Sequence, residues 1–220
     1  MTMKIYLIRH GKTQDNIELN FSGCQTDNPL IPEGIEVLTE VSDIPDDSIL
    51  FVSPMIRARQ TAEIMFPGLD QNIVDELREM NFGIFEGRNH YQLDGDPDYQ
   101  AWLDSGGEMK IPGGDSIGSF VSRAMKGMRT VIEQASEEGS ENVFIVAHGG
   151  TIMAVMSTLT GNDYFEFNVP NGMGYAIELE VYDAGNITSA GSYDRFCGGI
   201  LDGSRDWRPP QYTPSGEVDR

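Results

Sequence analysis

The sequence predicts an α/β fold: a three-layer sandwich with a mostly parallel central sheet flanked by helices, plus a small helical lid. Three observations carry that expectation. Apolar runs at residues 5–8, 48–52 and 143–146 have the length and continuous hydrophobic character of strands buried on both faces. The second and third pass within a few residues into helical patterns, the alternation of an α/β chain. The first and third end in the same way, with a histidine and then a glycine: Arg9-His10-Gly11 and Ala147-His148-Gly149. Carboxyl ends of strands face the ligand crevice in open α/β sheets, so a cation and two imidazoles placed there can meet one bound anion.

Length and composition agree with one domain. The chain has 220 residues, 39% of them hydrophobic, enough for a sizeable core without a membrane-spanning run. The α/β domain is expected over residues 1–195, with the lid at about 88–112 and a tail at 196–220. Met1-Thr2-Met3-Lys4 leads straight into the first strand with no secretory pattern, so the cytoplasm is the expected compartment. Cys24 and Cys197 form neither a CxxC pair nor a disulfide framework.

A formal net charge of −20 argues against nucleic-acid and anionic-membrane partners. It does not forbid a phosphate pocket. One guanidinium touching a phosphoryl oxygen is worth roughly 4 kcal/mol at an effective dielectric near 20. Surface carboxylates beyond a Debye length of about 8 Å are largely screened.

In chain order, the first strand opens into Lys12-Thr13-Gln14-Asp15-Asn16, rich in groups that hydrogen-bond anions. Gly23, Asp27, Asn28 and Pro29 mark turns, and a helix is expected from Pro32, with Glu33 favouring its positive end. After the strand at 48–52, Ser53-Pro54 reads as a capping serine with proline in the first helical turn. Arg57 then lies about one turn into that helix, where dipole and guanidinium both favour an anion shared with Arg9. Arg59 reads as a solvent-facing charge.

Leu77-Arg78-Glu79-Met80-Asn81-Phe82-Gly83-Ile84-Phe85-Glu86-Gly87 embeds two carboxylates in an apolar-aromatic segment. Glu79 and Glu86 are candidates for acid–base work if burial raises a pKa, although the residues alone favour solvated loop carboxylates for both. Asp94, Asp96 and Asp98 invite a calcium-loop reading, which fails because Tyr99 and Ser105 stand where glycine and glutamate are required. Residues 90–112 read instead as a lid that offers Tyr91, Tyr99 or Trp102 to a substrate. From Ser116, apolar residues at Phe120, Val121, Ala124, Met128, Val131 and Ile132 mark the buried face of a long helix. The strand at 143–146 leads into His148-Gly149-Gly150-Thr151, where a helix N-terminus points its free N–H groups at the crevice. Beyond Gly161, alternation over 175–182 suits a half-buried strand, with a turn at 183–186 and a hairpin partner near 187–193.

Together these stretches resemble the histidine phosphatase superfamily, the phosphoglycerate mutase-like proteins. The resemblance rests on Arg9-His10-Gly11 with Thr13 and Asn16, on Ser53-Pro54 before Arg57-Ala58-Arg59-Gln60-Thr61-Ala62, and on Ala147-His148-Gly149-Gly150. Gly23 through Asp27 to Pro29-Leu30, Leu77 through Glu79 to Glu86-Gly87, and Gly113-Gly114-Asp115-Ser116 support it. It implies that His10 is the nucleophile, forming a phosphohistidine, while Arg9, Arg57 and His148 bind phosphoryl oxygens. Asn16 assists in that pocket, and Glu79 protonates the leaving oxygen and later activates water. Gln25, Thr26, Gly149 and Lys12 are expected to contact the substrate. No metal or other cofactor is implied, and neither histidine belongs to an HxH or HxxxH ligand pair.

Lys12 and Ile31 depart from the family's usual residues, an acidic or amide side chain and a helix-capping threonine. Lys12 adds a cation expected at the pocket rim, where it would favour a substrate with a second negative group. The cofactor-dependent mutases of the family carry a long insertion between the Glu-Gly turn and the Gly-Gly loop; here residues 88–112 span only 25 positions. The short interval favours hydrolysis of a small phosphorylated metabolite, as in the α-ribazole phosphatase-like members, with a phosphoglycerate mutase or a non-catalytic phospho-ligand binder as alternatives. For residues 196–220 the sequence leaves three roles open: packing through Trp207 and Tyr212, a homodimer contact, or disorder.

Overall fold

The computed structural model describes residues 1–183, 186–187 and 192–197. Among the described residues seven strands form one mixed sheet: β1 (Thr2–Arg9), β2 (Ser48–Val52), β3 (Gln71–Ile73), β4 (Asn142–Ala147), β5 (Met173–Asp183), β6 (Asn186–Ile187) and β7 (Tyr193–Cys197). Their order is β3-β2-β4-β1-β5-β6, with β7 also paired to β5. The strands from β3 to β1 run parallel, and β5 turns the sheet antiparallel. In register, Arg9 lies beside Ala147 and Val52 beside Val146. His10, Ser53 and His148 therefore leave the sheet at one edge, on adjacent strands.

Strand alternation divides the apolar residues between two helical layers. Met3, Ile5, Leu7, Phe51, Val143 and Ile145 share a core with Phe120, Ala124, Met128, Val131 and Ile132 of α5 (Ile117–Glu138) and Ile152 and Val155 of α6 (Gly149–Thr160). Tyr6, Ile8, Leu50, Val52, Phe144 and Val146 face the other way, onto Ala58, Ala62 and Met65 of α3 (Ile56–Met65). Each fully buried large side chain contributes roughly 1.5–3 kcal/mol, so these two layers set the sheet and thereby the edge that carries the histidines. A Ser116 capping box and a left-handed Gly139 delimit α5, as its sequence stripe predicts.

The helix after β2 corrects one expectation. Ser53 is not its cap: α3 starts at Ile56, whose N–H donates to Asp27 Oδ1 at 2.7 Å. A carboxylate from a distant loop fills the capping role, and the Ser53 hydroxyl is taken by His148 at 2.7 Å. Two short helices, α1 (Gln14–Glu18) and α2 (Pro32–Glu36), follow β1, and Ile31 precedes α2 without a side-chain cap.

The lid contains α4 (Pro97–Asp104), whose first turn is capped by Asp96 accepting from Asp98 N at 3.0 Å and from Tyr99 N. Trp102 and Tyr99 pack edge-on against Phe21 and Phe85, which anchors the lid over the carboxyl edge of the sheet. The hairpin expected after 183 is met by β6, antiparallel to β5; residues 188–191 lie outside the described ones, as do Trp207 and Tyr212. No described helix is long and apolar enough to cross a membrane.

Candidate active site

His10 follows β1, and its main-chain N–H still bonds Ala147 O at 3.0 Å, so the imidazole leaves a rigid edge. Its Nδ1 lies 2.6 Å from Gly11 O. A carbonyl only accepts, so Nδ1 carries the proton and Nε2 keeps its lone pair. Burial, reinforced by the Arg57 and Arg9 guanidinium groups, holds the imidazole well below its ordinary pKa. His10 is thus a neutral ring with a free basic nitrogen, the form a nucleophile needs.

His148 stands behind it, the two ring centroids 5.2 Å apart at 62°. Arg57 Nε donates to His148 Nδ1 at 3.3 Å, which leaves Nε2 as the protonated nitrogen; that N–H reaches Ser53 Oγ at 2.7 Å. Burial and then Arg57 keep this ring neutral too. Arg57 itself is fully buried and donates to Thr26 O at 2.7 Å and Gly23 O at 3.1 Å. Arg9 Nη1 donates to Val169 O at 2.6 Å, and its Nε is buried with no partner. Among the described residues neither guanidinium belongs to an ion pair. Two desolvated cations whose hydrogen bonds go to carbonyls and a ring nitrogen, with the Glu79 carboxyl as the leading opposing charge, leave room for an incoming anion.

Glu79 supplies the opposite wall. Its Oε1 accepts Met80 N and its Oε2 accepts Gly150 N, both at 2.9 Å. Desolvation raises its pKa; the two N–H bonds and the arginines oppose that rise without cancelling it. A side chain at position 150 would land on Glu79 Oε1, so glycine is required there for the carboxyl to approach the helix end. Tyr164 donates to Gly150 O at 3.3 Å and closes this side.

His10, Arg9, Glu79, Asn16 and Gly149 all line one cavity of about 280 Å³. Its outer part is formed by Phe21, Phe82, Trp102, Ile117, Met153, Tyr164 and Phe165, with Asn20, Ser22 and Asn168 as neutral polar groups. Apart from Arg9, no lysine or arginine among the described residues lines it. Arg57 and His148 lie behind the lining rather than in it. Among the described residues no group of three or more histidine, cysteine, aspartate or glutamate side chains is arranged to hold a metal ion.

The sequence model of the histidine phosphatase superfamily, branch 1, matches residues 5–186. The chain belongs to that superfamily. It is 30% identical over 188 residues to the adenosylcobalamin/alpha-ribazole phosphatase of Salmonella typhimurium, covering 80% of this chain and 91% of that protein. It is 31% identical over 167 residues to the "Probable phosphoglycerate mutase GpmB" of Escherichia fergusonii, covering 72% and 75%. The crystal structure of the alpha-ribazole phosphatase from Shigella flexneri superposes with a TM-score of 0.69 at 28% identity, over 86% of this chain and 95% of that one.

Within this histidine phosphatase, three expected substrate contacts are displaced. Lys12 is exposed and off the cavity, because its backbone is pinned against Gly34 and its carbonyl accepts from Ile31 N at 3.0 Å, which turns the side chain outward. Gln25 and Thr26 turn away toward Asn81 and Glu86, at 2.6 and 2.7 Å. Of the lid aromatics, Trp102 lines the cavity, Tyr99 supports it from behind, and Tyr91 projects into solvent. Glu86 is not an acid–base group of the cavity: its carboxylate accepts from Gln25 N, Thr26 Oγ1 and Phe82 N.

Sequence reasoning passed over several residues. Asn171 donates to His10 O at 3.0 Å and Asn16 Oδ1 at 3.2 Å, tying the His10 turn to the β5 entrance. Its only sequence signal is the Pro-Asn-Gly turn. Ser53 signalled a cap, and Tyr164 and Asn168 carried no signal.

Proposed function

We propose that this enzyme hydrolyses phosphate monoesters of a small metabolite through a phosphohistidine at His10, without a metal. The observation that carries the proposal is the His10 tautomer: with Nδ1–H committed to Gly11 O, the basic Nε2 is left for phosphorus. In the first step Nε2 bonds to phosphorus as the ester P–O bond breaks, and the Glu79 carboxyl gives its proton to the departing alkoxide. In the second step water attacks the phosphohistidine, Glu79 takes its proton, and His10 is released with inorganic phosphate. Arg9, Arg57 and the neighbouring N–H donors stabilise charge on the phosphoryl oxygens; one such preorganised donor is typically worth about 10²–10³ in rate.

Hydrolysis is favoured over the mutase reading by the outer cavity. A phosphoglycerate needs a cation for its carboxylate, and among the described residues Arg9, committed to the phosphoryl end, is the only one lining the space. The relatives named alpha-ribazole phosphatases support the same reading. Turnover of p-nitrophenyl phosphate in EDTA, compared with His10→Ala, tests the reading. Equal rates would remove His10 from the chemistry, and rapid phosphoryl exchange between 3-phosphoglycerate and its bisphosphate primer without phosphate release would restore the mutase.

A further inference from the structure

Glu79 sits on a segment that has no regular secondary structure beyond the 3-10 turn at Asp75–Leu77. Its backbone acceptors must find donors outside the segment, and a carboxyl carried on so irregular a stretch has no intrinsic rigidity. One side chain serves three of those acceptors. Arg123, on α5, donates through Nη1 to Glu76 O at 3.2 Å and Arg78 O at 2.7 Å, and through Nη2 to Glu79 O at 3.1 Å. The same Nη2 meets Asp115 Oδ2 at 3.2 Å.

Asp115 completes the arrangement from the other side of Glu79. Its Oδ2 accepts Asn81 N at 3.0 Å, and its own main-chain N–H donates to Asn81 O at 2.8 Å. The guanidinium lies 5.1 Å from the Phe120 ring centroid, which fixes its stem on a helix whose apolar face is core. Neither Arg123 nor Asp115 lines the cavity. The bonds that hold the Glu79 carboxylate do not replace this clamp, because one of their donors, Met80 N, belongs to the same irregular segment.

We propose that Arg123, together with Asp115, is a positioning residue for proton delivery: it transmits the rigidity of α5 to Glu79 so that the carboxyl proton meets the leaving oxygen. The proposal rests on the role given to Glu79 above. A planar fork with five N–H donors can span three carbonyls and a carboxylate at once, and an ammonium cannot. The requirement is therefore for the guanidinium shape and not for a positive charge near the site.

The test uses two esters that differ in their need for an acid. The p-nitrophenolate of p-nitrophenyl phosphate leaves as a stable anion, whereas the alkoxide of 2-phenylethyl phosphate must be protonated. The ratio of their kcat/KM values reads the acid step alone, because kcat/KM covers events only up to departure of the leaving group. In Arg123→Lys the alkyl-to-aryl ratio should fall about tenfold or more, while kcat/KM for p-nitrophenyl phosphate changes by less than about threefold. Glu79→Gln should collapse the same ratio, and the double variant should lose no more alkyl activity than Glu79→Gln alone.

Equal losses on both esters, recovery of the ratio by lysine, or multiplicative losses in the double variant would each overturn the proposal. If Arg123→Lys does not fold, Asp115→Asn carries the same measurement, with a smaller fall in the ratio expected and an unmoved ratio decisive against. A wild-type protein no faster than His10→Ala would sink the reading of the whole site, while a His10-dependent enzyme with an unmoved ratio sinks only the part given to Arg123.

Discussion

Arg57 donates its Nε–H to Nδ1 of His148 across 3.3 Å, and neither side chain has any exposed surface. An imidazolium could not accept that bond, so the contact selects a neutral His148 and directs its remaining N–H to Ser53. The guanidinium is held in turn by the carbonyls of Gly23 and Thr26. Donors and cations around His10 are consequently fixed by protein groups, and little reorganisation is left for the reaction itself.

Ser53 is the end of that chain, and Ser53→Ala would leave the His148 Nε2–H buried without an acceptor. An unsatisfied buried donor costs about 1–3 kcal/mol, so the urea midpoint should fall by a matching amount. Turnover of p-nitrophenyl phosphate should fall as well, since the ring that packs on His10 loses the bond that fixes its orientation. Wild-type stability in Ser53→Ala would show that water or another tautomer serves equally.

The buried imidazoles give stability a pH dependence of definite sign. The unfolded chain takes up protons at His10 and His148 as pH falls through about 6.5, and the folded chain, with both pKa values held well below that, does not. Their contribution is therefore complete above about pH 6.5 and is lost as pH falls toward the folded values. Glu79 acts in the opposite sense: with its folded pKa raised, its contribution is present below the usual carboxylate value and is lost as pH rises through the folded one. Urea midpoints measured from about pH 7.5 down to about pH 5.5 should decline in the wild type and decline less in His148→Ala. A flat wild-type profile would contradict neutral buried rings.

Much of this site is written locally in the chain, and the rest is not, for a consistent reason. His10 and His148 could be read because strand, histidine and glycine are contiguous, and sheet geometry then brings any two such ends together. Arg57 could be read because its distance from β2 fixes its height on the helix. Glu79 could not be separated from Glu86 on the residues alone: only packing against α5 and α6 buries the first and leaves the second among loop N–H groups. Lys12 was misplaced because proximity in sequence to His10 says nothing about side-chain direction, which Gly34 decides from a different helix. The three-residue β3 was missed because Gln71-Asn72-Ile73 is too short and too polar to carry a strand pattern.

Gly150 separates packing from chemistry. In Gly150→Ala the new methyl group falls on Glu79 Oε1, so the carboxyl must move and the bond from the residue-150 N–H is lost. Misplacement on the ångström scale can cost about 100-fold, and the loss should be larger for alkyl than for aryl esters. In Gly149→Ala the methyl meets Arg9 Cζ at 3.4 Å, an ordinary contact, and the decrease should be smaller. Comparing kcat/KM of the two variants on both esters checks the assignment, and the reverse order would contradict it.

Glu86 braces the loop that holds Arg57 without lining the cavity. Its carboxylate accepts Gln25 N and Phe82 N, each at 3.2 Å, and Thr26 Oγ1 at 2.7 Å, closing the loop whose Gly23 and Thr26 carbonyls grip Arg57. Gly23 is required there, because a side chain at that position would run into Glu86 Oε1. Glu86→Ala removes the acceptor and leaves two main-chain N–H groups and a hydroxyl to water; because they are exposed or half-buried, the stability cost should stay below the roughly 1–3 kcal/mol of a fully buried orphan. Arg57 then loses the fixed orientation of its two carbonyl partners, so KM for every phosphate ester should rise, whatever its leaving group. Glu86→Gln keeps one oxygen acceptor and should retain more affinity. A variant at 86 that weakened alkyl esters selectively would place the residue in the proton-delivery path instead, contrary to the hydrogen bonds that tie it to the arginine loop.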